Sequence, residues 1–196
     1  MAEVDGQRKC SEQFSSIDSA LTFSVAAVYC FKKALFLIHA VVIRFGSESP
    51  PPFPIPITTQ CPVFTDNVVP SMLIHLGVID LSGSAGLSTL FSNAGSAERL
   101  TVLLDMFQDN ASSNTAAGEG PILTVDQSYI LRAAATDACE LITNEAKTIP
   151  LPEDGSLDWI RDITLPELDT WIWAVAKDRA DYRLLERFAL KDTVFF

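Results

Sequence analysis

The sequence predicts an all-α fold, a multi-helix globular domain, and three observations support this prediction. Apolar residues recur at spacings of three, four or seven in several long segments, which is typical of helices. We find no convincing alternation of period two, the pattern typical of half-buried strands. Hydrophobic residues make up 48% of the 196 residues and charged residues 20%, enough for a sizeable core and a polar surface. We therefore expect a disordered N-terminus over residues 1–13 and a single helical domain over residues 14–196.

Charge and cysteine usage exclude several function classes. The formal net charge is −11, whereas long nucleic acid is bound through a broad basic face. A small phosphorylated ligand needs only one or two local cations and stays possible. The four cysteines are scattered without a CxxC pair, and two histidines complete no zinc spacing. The polar N-terminus does not resemble a signal peptide. We therefore expect reduced thiols, a cytoplasmic location and no zinc site.

The first predicted helix covers residues 16–45. Its apolar positions are dense, so we expect it to be deeply buried. Lys32 and Lys33 lie in its middle, and adjacent helical residues point about 100° apart, so at most one of them faces inward. Either both side chains reach solvent, or one meets an acidic or phosphate partner. A membrane-associated helix over Leu21–Phe45 is a further hypothesis. Four charged or titratable side chains, Lys32, Lys33, His39 and Arg44, interrupt this segment and argue against a membrane span.

A proline-rich run from Pro50 to Pro56 then forces an extended chain. It is either a surface linker or a rigid strap, and its apolar neighbours Phe53, Ile55 and Ile57 favour packing. Asp66 follows, just before a helix with Pro70 in its first turn and Gly77 at its end. Its carboxylate is either a helix N-terminal capping group or a working acid that the helix dipole holds ionised.

The remaining elements are also predicted to be helices and loops. Capping residues mark two of the helix starts, at Ser96 and at Thr164, the latter with Pro166 in the first turn. The predicted elements, in chain order, are a turn and short helix over 82–92, a helix over 96–107, a loop over 108–120, a helix from Thr124 to Lys147, a turn over 149–155, a short helix at Trp159, a helix from Thr164, and a last helix over 179–187. The apolar stripe expected on the 124–147 helix is Tyr129, Ile130, Ala133, Ala134, Ala138, Leu141 and Ile142.

The common motifs of nucleotide, hydrolase and metalloprotease sites are missing from the sequence: it has no GxGxxG, GxxxxGK[ST], GxSxG or HExxH. The catalytic groups that remain as candidates are carboxylates and lysines inside a helical pocket. An ionised, firmly held carboxylate is what glycosyl transfer needs against a developing oxocarbenium ion.

Four segments in order resemble the queuosine salvage family of queuosine 5′-phosphate N-glycosylases. Phe31-Lys32-Lys33-Ala34 resembles the family's lysine segment. Phe64-Thr-Asp66-Asn67-Val-Val-Pro70 with Leu73-Ile-His-Leu76-Gly77 resembles its Phe-x-Asp motif and the Leu-x-x-Leu-Gly that follows. Leu131-Arg132-Ala133 with Glu140, and Leu168-Asp169-Thr-Trp-Ile-Trp173, complete the series. Asn67, Val68 and Ser71 differ from the family's usual Tyr, Arg and Gln.

The resemblance implies an all-helical fold similar to helix-hairpin-helix DNA glycosylases. It implies hydrolysis of the N-glycosidic bond of queuosine 5′-phosphate, which releases queuine for tRNA modification. Asp66 is then the catalytic carboxylate, acting covalently or not, and Lys32, with Lys33 as the alternative, pairs with Asp66 or with the substrate phosphate. The implied substrate contacts are Lys33, Phe64, Asn67, Arg132 and Asp169, and no metal or organic cofactor is implied.

The family also carries a further N-terminal portion that helps to form its pocket. The resemblance begins near residue 25, so we expect this chain to lack that portion. The alternative function is therefore a catalytically inactive, truncated paralogue that acts as a helical binding or scaffold protein.

Overall fold

Helices make up most of the regular structure in residues 32–92, 94–105 and 120–190, the part of the chain that the computed structural model describes. The elements are α1 (Lys32–Phe45), α2 (Val68–His75), α3 (Ala97–Leu104), β1 (Ile122–Leu123), α4 (Val125–Ala146), a 3-10 helix (Asp158–Asp162), α5 (Leu165–Asp178), α6 (Ala180–Arg183) and β2 (Ala189–Leu190). The predictions for residues 1–13, 16–31 and 108–119 lie outside the described residues.

The short helix α2 is the centre of the fold. All eight of its residues are buried, as expected for a helix that is apolar on every side. It packs against both α4 and α5, which also pack against each other. The main core around it consists of Val63, Val68, Val69, Met72, Leu73, Leu103, Ala135, Ala138, Cys139, Leu168, Ile172, Ala176, Tyr182 and Leu185. The loop that leads into α2 is therefore anchored to the most buried part of the molecule.

The helix starts predicted at Ser96, Thr124 and Thr164 are confirmed. Ser96 accepts the backbone N–H of Arg99 at the start of α3. Thr124 and Gln127 form a reciprocal capping box at the start of α4. At α5 the backbone N–H and the hydroxyl of Thr164 both donate to the Glu167 carboxylate, at 2.8 Å each. The short helix predicted at Trp159 is the 3-10 helix.

The apolar stripe predicted for α4 is confirmed at Ala138 and, in part, at Ile142, which packs against the core. It is wrong at Tyr129, Ile130, Ala133 and Leu141, which are exposed. Leu141 is 70% exposed and Ile130 48% exposed. The face that is buried consists of Ser128, Leu131, Ala135, Ala138, Cys139, Thr143 and Ala146. Alanines, serines and threonines supply most of this face, because α4 packs closely against α2 and α5. Small residues contribute little to a hydrophobic pattern, so the prediction of the buried face followed the larger side chains, which are exposed.

Several other predicted elements are corrected. The last helix ends at Arg183 instead of Arg187, and residues 82–92 form turns without a helix. The described part of α1 is mostly exposed instead of deeply buried, with His39 its single buried residue. Ile57 in the proline-rich run is 86% exposed, so it does not pack as expected.

Two short strands qualify the all-α prediction. β1 and β2 pair in parallel, with Ile122 opposite Ala189 and Leu123 opposite Leu190. Strands of two residues are too short to show an alternating pattern, which explains why the sequence did not predict them. Among the described helices, none combines the length and the apolar composition required to cross a membrane.

Candidate functional site

Asp66 and Lys32 form an ion pair where α1 meets the loop that precedes α2. Lys32 Nζ lies 2.6 Å from Asp66 Oδ2. The Asp66 side chain is 9% exposed and that of Lys32 29% exposed, so the pair lies at the boundary of the core. Lys33, the neighbouring residue on α1, is exposed. The sequence left open whether both lysines reach solvent or one meets an acidic or phosphate partner. In the structure, Lys32 meets the acidic partner Asp66.

Asp66 also caps α2. Its second oxygen, Oδ1, accepts the backbone N–H of Val68 at 2.7 Å and that of Val69 at 3.4 Å. These are the first two N–H groups of the helix, which have no partner within it. Asn67 occupies the N-cap position but makes no capping bond with its side chain. The capping role considered for Asp66 is thus confirmed, and it uses one oxygen while the other faces Lys32.

The surroundings keep Asp66 ionised. Burial by itself raises the pKa of this carboxyl, but the hydrogen bond and positive charge of Lys32 lower it more, with help from the Val68 N–H and the Trp173 indole. The net result is a pKa below the ordinary value of 3.8. An ionised carboxylate with directed donors on both oxygens is a preorganised anion, suited to stabilising positive charge nearby.

Helix α5 contacts the same loop through two side chains one turn apart. Trp173 Nε1 donates to Asp66 Oδ2 at 3.2 Å. Asp169 Oδ2 accepts the backbone N–H of Phe64 at 2.8 Å. Burial, together with the negative charge of Asp66, raises the pKa of Asp169 to about 6, against the Phe64 hydrogen bond and the charge of Lys32. At mildly acidic pH, Asp66 is therefore ionised while Asp169 still holds its proton.

Helix α1 contacts the loop from the opposite side through one face. Phe36, one turn after Lys32, packs edge-on against the Phe64 ring with 6.0 Å between ring centroids. His39 lies 5.7 Å from the same ring, and its Nδ1 is 2.8 Å from Thr58 Oγ1. The segment from Phe64 to Asp66 is therefore held between α1 and α5.

The other predicted substrate contacts lie in different surroundings. Phe64 is a buried core residue, 3% exposed. Asn67 Nδ2 donates to the carbonyl oxygen of Phe188 at 2.9 Å, so its amide joins α2 to the segment before β2. Arg132 is half-buried on α4, and its assignment stays a prediction. Asp169 is 7% exposed and contacts the loop backbone.

Trp173 is the residue of this cluster that the sequence did not identify as functional. Its indole contacts Asp66, and Lys177 Nζ lies 4.8 Å from its ring centroid. The available signal was its spacing: it follows Asp169 by four residues on one helix, which places both on one side.

Two clefts lie elsewhere. One, of about 440 Å³, is lined by Ile74, Gly77, Ile79, Asp80, Leu81, Ser82, Ser88, Phe91, Ala94 and Gly95. The other, of about 500 Å³, lies between the end of α4 and the start of α5 and includes Glu140. Neither is lined by Asp66 or Lys32. Within the described ranges, no group of three or more His, Cys, Asp and Glu side chains is placed to hold a metal ion.

Comparison of the chain with protein-family models, with curated proteins and with solved structures finds no match. The site is therefore interpreted from its own geometry and from the motifs described above.

Proposed function

We propose that this chain hydrolyses the N-glycosidic bond of queuosine 5′-phosphate and releases queuine, with Asp66 as the catalytic carboxylate. The observation that carries the proposal is the Lys32–Asp66 ion pair, 2.6 Å long, at the start of a buried helix. Three of the four segments on which the resemblance rests contribute side chains to this cluster: Lys32, Phe64 with Asp66, and Asp169 with Trp173. A likeness to helix-hairpin-helix DNA glycosylases belongs to the same proposal.

In the proposed reaction, the bond between C1′ of the ribose and the base nitrogen breaks and a bond between C1′ and a water oxygen forms. The base leaves with the bonding electrons and takes up a proton, while the water loses one. Positive charge develops at C1′ as the base departs, and Asp66 either attacks C1′ or stabilises that charge. Lys32 holds the carboxylate in place or pairs with the substrate phosphate.

The first test is the release of queuine by the purified chain, followed by chromatography. We expect Asp66→Asn to reduce the rate by at least about 100-fold, as for loss of a group that acts directly on the reacting centre. The amide keeps the size of the side chain and one acceptor for the α2 N–H groups, so the fold should persist in circular dichroism. Asp154→Asn, in an exposed turn, is the matched control and should retain the full rate. Undiminished release by Asp66→Asn would refute the assignment of Asp66.

The second candidate function is that of an inactive helical binding or scaffold protein. The observation that favours it is that both carboxylate oxygens of Asp66 already accept hydrogen bonds. The donors are Lys32, Trp173, Val68 and Val69. Large apolar side chains on α1 are also exposed, among them Phe36, Leu37 and Ile43. Calorimetry with the nucleotide distinguishes the two functions. Failure to bind the nucleotide, or binding without release, would support this second function, and release of the base would exclude it.

A further inference from the structure

Two α5 side chains contact the loop that carries Asp66, and each contacts a different part of it. Asp169 binds the backbone N–H of Phe64, two residues before Asp66, and Trp173 binds the Asp66 carboxylate itself. Asp169 and Trp173 are four residues apart, so they point in the same direction from one rigid helix. A backbone atom and a side chain of the same short segment are thus fixed to α5.

We propose that Asp169 is a positioning residue for Asp66: its carboxylate fixes the Phe64 backbone, so that Asp66 meets Lys32 and Trp173 together. The catalytic consequence rests on the proposed function, whereas the structural relation does not. This differs from the substrate contact that the resemblance implied for Asp169.

The buried hydrogen bond between the Phe64 backbone N–H and the Asp169 carboxylate supports a positioning role for Asp169. The residue is 7% exposed, and the oxygen that binds Phe64 faces the loop instead of solvent. The charged or titratable groups around it are Lys32 from α1, Asp66 from the loop and Cys139 from α4. The hydrogen bond explains why a carboxyl is buried here, because a buried backbone N–H left without an acceptor destabilises the fold.

The chemistry of the contact predicts which substitutions are tolerated. The Phe64 N–H needs an acceptor, and a carboxylate, a protonated carboxyl and a carboxamide all present an oxygen at the same distance from the backbone. Asp169→Asn therefore keeps the contact, and Asp169→Leu removes it at similar volume. Tyr182→Phe is a matched control, because it also removes a buried hydrogen bond, from the Tyr182 hydroxyl to the Leu103 carbonyl at 2.8 Å, away from the loop.

The first test is independent of any enzymatic activity. The indole N–H resonance of Trp173 in a proton–nitrogen NMR spectrum is identified by its loss in Trp173→Phe, and its displacement in Asp66→Ala sets the scale. We expect Asp169→Leu to displace this resonance to a comparable extent, while Asp169→Asn and Tyr182→Phe leave it nearly in place. A folded Asp169→Leu chain with an unmoved indole resonance would overturn the proposal.

A second measurement decides the case if Asp169→Leu fails to fold. In the unmodified chain, the backbone amide of Phe64 should exchange slowly with deuterium, and Asp169→Asn should preserve that protection. Fast exchange at Phe64 in the unmodified chain would show that the hydrogen bond is not maintained, and the proposal would fail.

Kinetics on queuosine 5′-phosphate separate positioning from substrate contact. A displaced Asp66 should lower kcat by about 10- to 100-fold in Asp169→Leu with little change in KM, since small displacements of a reacting group are costly. A raised KM with unchanged kcat would instead identify Asp169 as a substrate contact. If the unmodified chain releases no queuine, the proposed function fails, and the NMR and exchange results still decide the role of Asp169.

Discussion

At the scale of single residues, the site separates two carboxyls by their surroundings. Asp66 has four hydrogen-bond donors, one of them the ammonium group of Lys32, and its pKa is lowered. Asp169 has one backbone donor and a negative neighbour, and its pKa is raised to about 6. Pairs of carboxyls whose pKa values differ because of burial and neighbouring groups are common in active sites. Ion-pair networks that serve only the fold produce such differences as well.

The raised pKa of Asp169 makes stability depend on pH with a definite sign. The folded chain holds this proton in a range where the unfolded chain has already released it, so rising pH penalises the folded state. The penalty grows between 3.8 and about 6 and is complete above that range. A shift of this size corresponds to at most about 3 kcal/mol. Asp169→Asn has no such proton, so the variant should gain stability relative to the unmodified chain as pH rises through this window.

Urea unfolding of both chains, measured at several pH values across the window from 3.8 to about 6, checks the prediction. The pKa of Asp66 is lowered below 3.8, so this carboxylate stays ionised in the folded chain across the window. A gap between the two chains that stays constant with pH would contradict the raised pKa.

At the scale of elements, helix starts were predictable and helix rotations were not. A capping box is a local signal, because Thr124 and Gln127 satisfy each other within four residues of sequence. The rotation of α4 depends on its packing partners: the small residue Ala135 is buried because α2 and α5 pack against α4. The choice between Lys32 and Lys33 could not be predicted for the same reason, because it depends on how α1 is rotated relative to the loop. The capping role of Asp66 was predicted from neighbouring residues and is confirmed. Its contacts with α1 and α5 join residues far apart in the sequence, so local pattern did not predict them.

The corrected face of α4 gives a prediction with its own control on the same helix. Leu131→Ala should cost about 2–5 kcal/mol of unfolding free energy, because it empties space in the core. Ile130→Ala, at the adjacent and exposed position, should change the free energy by less than about 0.5 kcal/mol. Denaturant unfolding measures both variants. Equal losses would mean that α4 is turned differently from the structure described.

At the scale of the whole molecule, the segment before β2 joins distant parts of the chain. Phe188 accepts from Asn67 at the start of α2, and its ring lies in a second core cluster with Ile74, Leu87, Phe91, Leu123 and Leu131. Gly120 packs directly against the backbone of Arg187 near the start of β1. The parallel strand pair continues this contact, so residues separated by most of the chain meet at one place.

Gly120 is the tightest point of this junction. A Cβ atom placed there would lie 1.9 Å from the carbonyl oxygen of Arg187, so Gly120→Ala forces the two backbones apart. We expect a loss of about 1–3 kcal/mol, as for overpacking of a close contact. Gly86→Ala is the control, since a Cβ at Gly86 has no neighbour within 4 Å. Thermal unfolding compares the two. If Gly120→Ala is as stable as Gly86→Ala, the junction is looser than described.

The burial of α2 has a consequence for the order in which the chain folds. An isolated helix of eight residues is too short to persist in water, where helices need roughly 12–15 residues to be even marginally stable. Helix α4, with 22 residues and a capping box, is the better candidate for early structure. α2 can then form only as it docks between α4 and α5, after long loops have closed, a step that carries a high entropy cost. The carboxylate at its start is therefore assembled in the same late step that completes the core, so an intermediate with α4 formed but α2 undocked lacks the site altogether.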